Sequence, residues 1–230
     1  LRGGKLCTTV QSYDKGRAEF PPAAIEWLMT QLPSQDRRAL HAVDMGAGTG
    51  MWTAHLVQEG FKVTAVELSQ DMLRVLSEKL PRVQTFNRPA EDTGIEEKSA
   101  DLITYSLCWH WMDEPRACQE IGRILKPNGV VALIWNQFDD STEWVHEIIR
   151  ISGSPAIFDM VKWTRRLGRS DLVAHCHSNS HYATQTEEGK RQLIREMENY
   201  WDECEVTQGK NSVDVPFVTR ITVIRRNDSI

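Results

Sequence analysis

Between residues 39 and 136, short apolar runs alternate with stretches of helical length and pattern, which sharply limits the folds open to the chain. The apolar runs cover residues 39–44, 61–67, 83–87, 100–106 and 130–136, with candidate helices at 50–59, 70–80 and 114–125. Strands alternating with helices of this length predict parallel βαβ units. Right-handed crossovers wind such units into an open, doubly wound sheet with helices on both faces. The breaks have physical causes. Gly60 suits a left-handed helix cap, Ser69 an N-cap, and Lys126-Pro127-Asn128-Gly129 a turn before the fifth strand. Residues 215–225 read as a further strand, with Phe217, Thr219, Ile221 and Val223 on one face. The expected fold class is therefore α/β: a Rossmann-like, mostly parallel sheet with a C-terminal antiparallel edge strand.

Before the alternation begins, Pro21-Pro22 opens a helix whose Ile25, Leu28, Met29 and Leu32 share a face, and Pro33 ends it. After it, residues 141–151 read as helical and Ser152-Gly153-Ser154-Pro155 as a breaker. Thr184 and Glu187 form a candidate capping box for an amphipathic helix carrying Leu193, Ile194, Met197 and Trp201. The 230 residues are read as one domain. Residues 1–38 are a capping region, 39–140 a cofactor-binding core, and 141–230 an acceptor-covering and sheet-closing part.

The segment Asp44-Met45-Gly46-Ala47-Gly48-Thr49-Gly50 lies at the first strand-to-helix turn. Glycines there let a ligand approach the backbone closely. Glu67 ends the second strand, where a carboxylate can accept from both hydroxyls of a ribose. The dinucleotide fingerprint needs Gly-x-Gly-x-x-Gly, but here the third glycine comes one residue early and Met51 follows. Asp44 would repel a pyrophosphate and suits a ligand bearing an ammonium group. S-adenosylmethionine carries that ammonium, a ribose and no phosphate. The residues favour it over NAD, which keeps an NAD-dependent oxidoreductase as the weaker alternative.

These motifs, in this order, resemble class I S-adenosylmethionine-dependent methyltransferases of the type 11 methyltransferase-domain group, and within it the branch around trans-aconitate methyltransferase. The resemblance rests on residues 44–50, Val63-Thr64-Ala65-Val66-Glu67, Pro89-Ala90-Glu91-Asp92, Ala100-Asp101-Leu102-Ile103, Trp109-His110-Trp111-Met112-Asp113 and the helix and turn at 120–129. Tyr13, Gly16 and Arg17 resemble a segment that folds over the cofactor in that family. It implies cofactor contacts at Tyr13, Arg17, Asp44, Gly46, Ala47, Gly48, Thr49, Gly50, Glu67, Leu68, Ala90, Glu91 and Ser106. It also places Trp109 and Trp111 on the acceptor, with His110 as the candidate general base. In-line positioning can supply much of the barrier reduction when a sulfonium methyl meets a carboxylate, so a base is not obligatory.

Other features bound the partners. Lys and Arg number 27 against 32 Asp and Glu, so no general grip on nucleic acid is expected. Residues 1–10 hold no apolar stretch, no run reaches membrane-spanning length, and the cysteines show no paired spacing. The expectation is a cytoplasmic enzyme acting on a small molecule. His175, Cys176, His177 and His181 read as a solvated helix face rather than a metal site. Lys162, Arg165, Arg166 and Arg169 read as a charged face, with an acidic acceptor as the functional alternative. Cys108 and Cys118 are read as small core residues. No sixth strand is evident before the closing helix, so the acceptor-covering part reads as shortened. That motivates a further alternative, a methyltransferase-like binding protein without activity.

Overall fold

The computed structural model describes residues 17, 19–34, 36–138 and 161–225, with Ser180 and Arg225 by their backbone alone. Tyr13, Gly16, the 141–151 helix and the 152–155 breaker lie outside these residues. In chain order come α1 (Pro22–Thr30), β1 (His41–Met45), α2 (Met51–Gln58), β2 (Lys62–Val66), α3 (Gln70–Lys79), β3 (Gln84–Phe86), β4 (Ala100–Ser106) and α4 (Glu114–Ile124). There follow β5 (Leu125–Phe138), β6 (Val161–Leu167), α5 (Arg169–His177), α6 (Ser180–Ala183), α7 (Glu187–Glu203) and β7 (Val213–Arg225). The seven strands are ordered β3-β2-β1-β4-β5-β7-β6. Neighbours from β3 to β5 run parallel, and β6 pairs antiparallel with β7.

The chain divides into two compact units. The first holds Pro22–Trp135 and the chain from Ile221; the second holds Asn136–Arg220 with the segment ending at Pro21.

In the first unit β1 lies between β2 and β4, so strand order reverses at the β1/β4 pair. In open α/β sheets this reversal leaves a crevice beyond the carboxyl ends of the strands. The central strands β1, β2 and β4 are buried on both faces, as parallel sheets require: Ala42, Val43, Met45, Ala65, Val66, Leu102, Ile103 and Tyr105 are all buried. On the α4 side of the sheet, Ile103 and Tyr105 pack with Ile124, Leu125 and Val131 in one cluster. Burying each such side chain contributes roughly 1.5–3 kcal/mol. The helix ends follow their residues. Ser69 Oγ accepts from the Met72 amide, Asp113 accepts from the Arg116 amide, and Leu56 O accepts from Phe61 N just past Gly60.

The expected turn at Lys126–Gly129 is an excursion inside β5. Leu125 pairs with Ala100 and Val130 with Leu102, so the intervening residues bulge out opposite Asp101 alone. Asn128 takes φ 62° at its apex, and Lys126 returns to donate to Asp101 at 2.7 Å.

In the second unit the closing edge is a pair rather than a single strand. The absence of a sixth strand is corrected: β6 is that strand, and its residues Lys162, Arg165 and Arg166 are the run read as a charged face. Val161, Trp163 and Arg165 are half-buried and Leu167 buried, while Lys162, Thr164 and Arg166 are exposed. Trp163 stacks on Phe217 with ring centroids 5.0 Å apart. Leu167, Leu172, Cys176, Met197, Trp201 and Val215 close the core of this unit. The cap of α7 is Thr186, not Thr184, and it accepts from Gly189 N. The histidines do not share one helix, because Ser178 and Asn179 separate α5 from α6. His175 packs on Phe138 and His177 on Tyr182. Among the described residues no His, Cys, Asp and Glu group could hold a metal ion, and no helix is long and apolar enough to cross a membrane. Cys118 is exposed on α4, against its reading as a core residue, whereas Cys108 is buried.

Candidate functional site

The loop after β1 is shaped by glycine. Gly46 and Gly50 adopt φ +63° and +87°, in the left-handed region that side chains avoid. A Cβ on Gly46 would stand 2.9 Å from Cys108 Sγ, and one on Gly50 2.9 Å from Leu76 Cγ. The backbone is therefore pressed against β4's end on one side and α3 on the other. Two bonds fix its path, from Ala47 N to Val66 O and from Gly50 N to Ala47 O, both 3.0 Å. Cys108 Sγ also lies 3.0 Å from Met45 O, joining the ends of β1 and β4. Burial pushes this thiol's pKa well up, so the sulfur packs and donates rather than ionises.

Asp44 is fully enclosed. It pairs in register with Thr104 on β4, whose hydroxyl donates to Oδ1 at 2.9 Å. Thr53 on α2 donates to Oδ2 at 2.6 Å. Burial pushes its pKa up to about 7; the two hydroxyls favour the charged form, and nearby Glu67 opposes it. Both of its oxygens thus accept from hydroxyls of the protein itself. Asp44 braces β1, β4 and α2 beneath the loop.

Glu67 stands at the end of β2, half-buried. Its Oε2 accepts from Gly48 N at 2.8 Å and its Oε1 from Ser69 N at 2.7 Å. A carboxylate offers about four lone-pair sites, so these amides leave about two open, one on each oxygen. That is the acceptor pattern a vicinal diol needs. Leu68 beside it is 58% exposed, a large apolar side chain presented at the strand ends. The residue that sequence reasoning missed is Asn87, just past β3, whose Nδ2 lies 2.9 Å from both Glu67 O and Leu68 O. No motif marks it, and the sequence pattern places it as the last residue of the 83–87 run, whereas β3 ends at Phe86.

On the β3 side, Glu91 accepts from Asp113 N at 2.9 Å, tying its loop to the start of α4. Ala90 belongs to the core, so its side chain is spent in packing. One residue beyond Asp92, Thr93 donates by amide and hydroxyl to Glu120 Oε1, and Arg123 donates to both Glu120 oxygens. Arg123 above all, with Thr93 helping and burial opposing, holds Glu120 down at about 2.

A family profile described as a methyltransferase domain matches residues 43–133. An uncharacterized methyltransferase of Mycobacterium tuberculosis is 32% identical over 228 residues, covering 92% of this chain and 91% of that protein. The chain belongs to the methyltransferase-domain family. Membership in a methyltransferase family stands against the oxidoreductase alternative. The malonyl-[acyl-carrier protein] O-methyltransferase of Pectobacterium atrosepticum is 27% identical, over 74% of this chain and 65% of its own length. Two solved folds are similar. A candidate type II methyltransferase from Anaeromyxobacter dehalogenans has TM-score 0.63 at 20% identity, covering 91% of this chain and 97% of that one. Phosphoethanolamine N-methyltransferase 2 of Haemonchus contortus, in complex with S-adenosyl-L-methionine, has TM-score 0.50 at 15% identity, covering 91% and 56%.

In the methyltransferase, Asp44, the 46–50 loop, Glu67, Leu68, Ser106 and the turn at Trp109–Trp111 all lie in the first unit, at the carboxyl ends of β1, β2 and β4. Thr49 is buried and Ser106 half-buried. His110 is exposed on the 3₁₀ turn, its ring 5.0 Å from that of Trp111. Trp109 is half-buried and packs edge-on against Tyr105 at 4.9 Å, so part of the expected aromatic wall is core. Arg17 is in the second unit, where its Nη2 donates to Ser178 O at 2.8 Å and its carbonyl accepts from Arg165 Nη1 at 3.0 Å.

Proposed function

We propose that the chain transfers the sulfonium methyl of S-adenosylmethionine to a small-molecule acceptor, with a carboxylate as the favoured class. The reading is carried by Glu67, a carboxylate pre-tied by Gly48 N and Ser69 N with an open acceptor site on each oxygen, beside a loop that has no room for a side chain at Gly46 or Gly50. The donor set fits the cofactor. Glu67 takes the ribose hydroxyls, Leu68 covers one face of the adenine, the loop at Ala90 and Glu91 borders it, and the 46–50 loop with Ser106 receives the amino-acid end. The roles of Tyr13 and Arg17 rest on the family resemblance alone. When bound, the cofactor supplies an electrophilic methyl group and a neutral thioether leaving group. This chain's own part is to orient and to exclude water, which the fixed loop and the aromatic turn favour. Trp109 and Trp111 would border the acceptor, and His110 would take a proton if the acceptor atom carries one.

The carboxylate class rests on the little acid–base help that such an acceptor would need and on similarity to a protein named malonyl-[acyl-carrier protein] O-methyltransferase. The trans-aconitate branch noted above fits the same class. The compartment proposed is the cytoplasm, and no nucleic acid or membrane is proposed as a partner. The non-catalytic alternative loses the part of its motive that rested on a missing sixth strand.

Calorimetry tests the cofactor reading. S-adenosylmethionine should bind, and Glu67→Ala should weaken it about tenfold or more, the expected loss for hydrogen bonds to a charged group. Equal affinity in that variant would remove Glu67 from the ribose site. Incubating the protein with isotopically labelled cofactor and a metabolite extract, followed by mass spectrometry, should reveal a labelled acid. Label found only on amines or carbon would overturn the carboxylate assignment.

A further inference from the structure

We infer that Asn87 is a positioning residue for the nucleoside end of the cofactor, acting through Glu67 and Leu68. The inference rests on the ribose reading of Glu67. The parallel ladder between β2 and β3 ends at the Val66 and Phe86 pair. One more backbone bond, from Glu67 N to Phe86 O at 3.1 Å, follows it. Beyond that point the chain turns toward α3, and the carbonyls of Glu67 and Leu68 have passed the last strand partner. The Asn87 side chain reaches back across this gap and donates to both carbonyls at 2.9 Å. Carbonyl oxygens can only accept, so the orientation of the Asn87 amide is determined by its two partners.

Glu67 is thereby held at two levels. Gly48 N and Ser69 N fix the tip of its carboxylate. Asn87 fixes the backbone from which that side chain springs, and the backbone of Leu68 with it. Asn87 is itself exposed, so its hydrogen bonds add little to the core. With alanine there, water can satisfy both carbonyls, and the fold loses little. What is lost is preorganisation: a mobile corner must be ordered each time the ligand arrives, which lowers affinity without removing any ligand contact.

The test measures S-adenosylhomocysteine binding by calorimetry and thermal unfolding for the wild type, Asn87→Ala, Asn87→Asp, Glu67→Gln and the Asn87→Ala/Glu67→Gln double variant. Asn87→Ala should weaken binding about fivefold or more while shifting the midpoint by no more than about 2 °C. Asn87→Asp should be at least as weak, because it turns a carboxylate oxygen toward two carbonyls. In the Glu67→Gln background the Asn87→Ala loss should shrink to about twofold or less, since the group being positioned is already impaired. Wild-type affinity in Asn87→Ala, or an equal loss in both backgrounds, overturns the inference while leaving the ribose reading intact. Absence of binding by the wild type, or wild-type affinity in Glu67→Gln, overturns the ribose reading and this inference together.

Discussion

Asp44 is a fully enclosed carboxyl group, and its stability effect depends on pH in a definite direction. Burial raises its folded-state pKa from 3.8 to about 7. Well below the lower of these values the group is neutral in folded and unfolded chains alike. As pH rises toward the higher one the unfolded chain ionises first, so the folded state loses a few kcal/mol of relative stability, and the loss is complete above the folded pKa. The substitution Asp44→Asn would keep the shape and one acceptor but remove the ionisation. Urea unfolding of Asp44→Asn and wild type at several pH values should show the variant gaining on the wild type between about pH 4 and 7. A difference independent of pH would mean that Asp44 does not titrate there. Gly46 offers a steric counterpart. Gly46→Ala should destabilise by about 1–3 kcal/mol, from the φ of +63° and the 2.9 Å approach to Cys108 Sγ. Cys108→Ala should restore only part of that loss in a denaturation series, because the backbone strain persists. Such residue roles were half legible. Asp44, Glu67 and the glycines declare themselves by type and place. That Asp44 faces Thr53 and Thr104 follows from a strand register that only coordinates supply, and Asn87 carries no motif at all.

At the level of elements, legibility followed periodicity. Most parallel strands and their helices overlap the expected segments, because burial on both faces of the central strands writes continuous apolar runs, although β5 begins at Leu125 rather than at residue 130. β6 was missed because its charges drew the reading, although Val161, Trp163, Arg165 and Leu167 alternate with period two. The excursion at Lys126–Gly129 was read correctly as a turn, but its place inside a ladder depends on what Leu125 pairs with. The start of α7 moved from Thr184 to Thr186 because two threonines with suitable spacing compete, and the helix begins at Glu187. Thr186→Ala should cost about 1 kcal/mol in urea unfolding, and Thr184→Ala much less. Equal effects would deny Thr186 its capping role. The Glu120, Thr93 and Arg123 group joins α4 to the loop after β3. Its depressed carboxyl contributes stability that is complete above about pH 4.5 and lost as pH falls toward 2. Glu120→Gln should flatten that acid limb in a pH titration of unfolding. An unchanged limb would mean that other carboxylates set it.

The whole molecule divides in a way its sequence did not announce. Two compact units emerge, and neither is a single continuous stretch of chain. The strands β5 and β7 each begin in one unit and end in the other. This arrangement was illegible because apolar patterning reports which residues are buried, not with whom. It also bears on the order of events during synthesis. The residues from Ile221 onward leave the ribosome after Asn136–Arg220 but belong to the other unit, and Ile221 itself is buried. The glycine loop and Glu67 are thus translated long before their own unit can be finished. A nascent chain halted before Ile221 carries every proposed cofactor residue on an incomplete scaffold, so competence to bind should arrive late and abruptly during translation rather than growing with chain length.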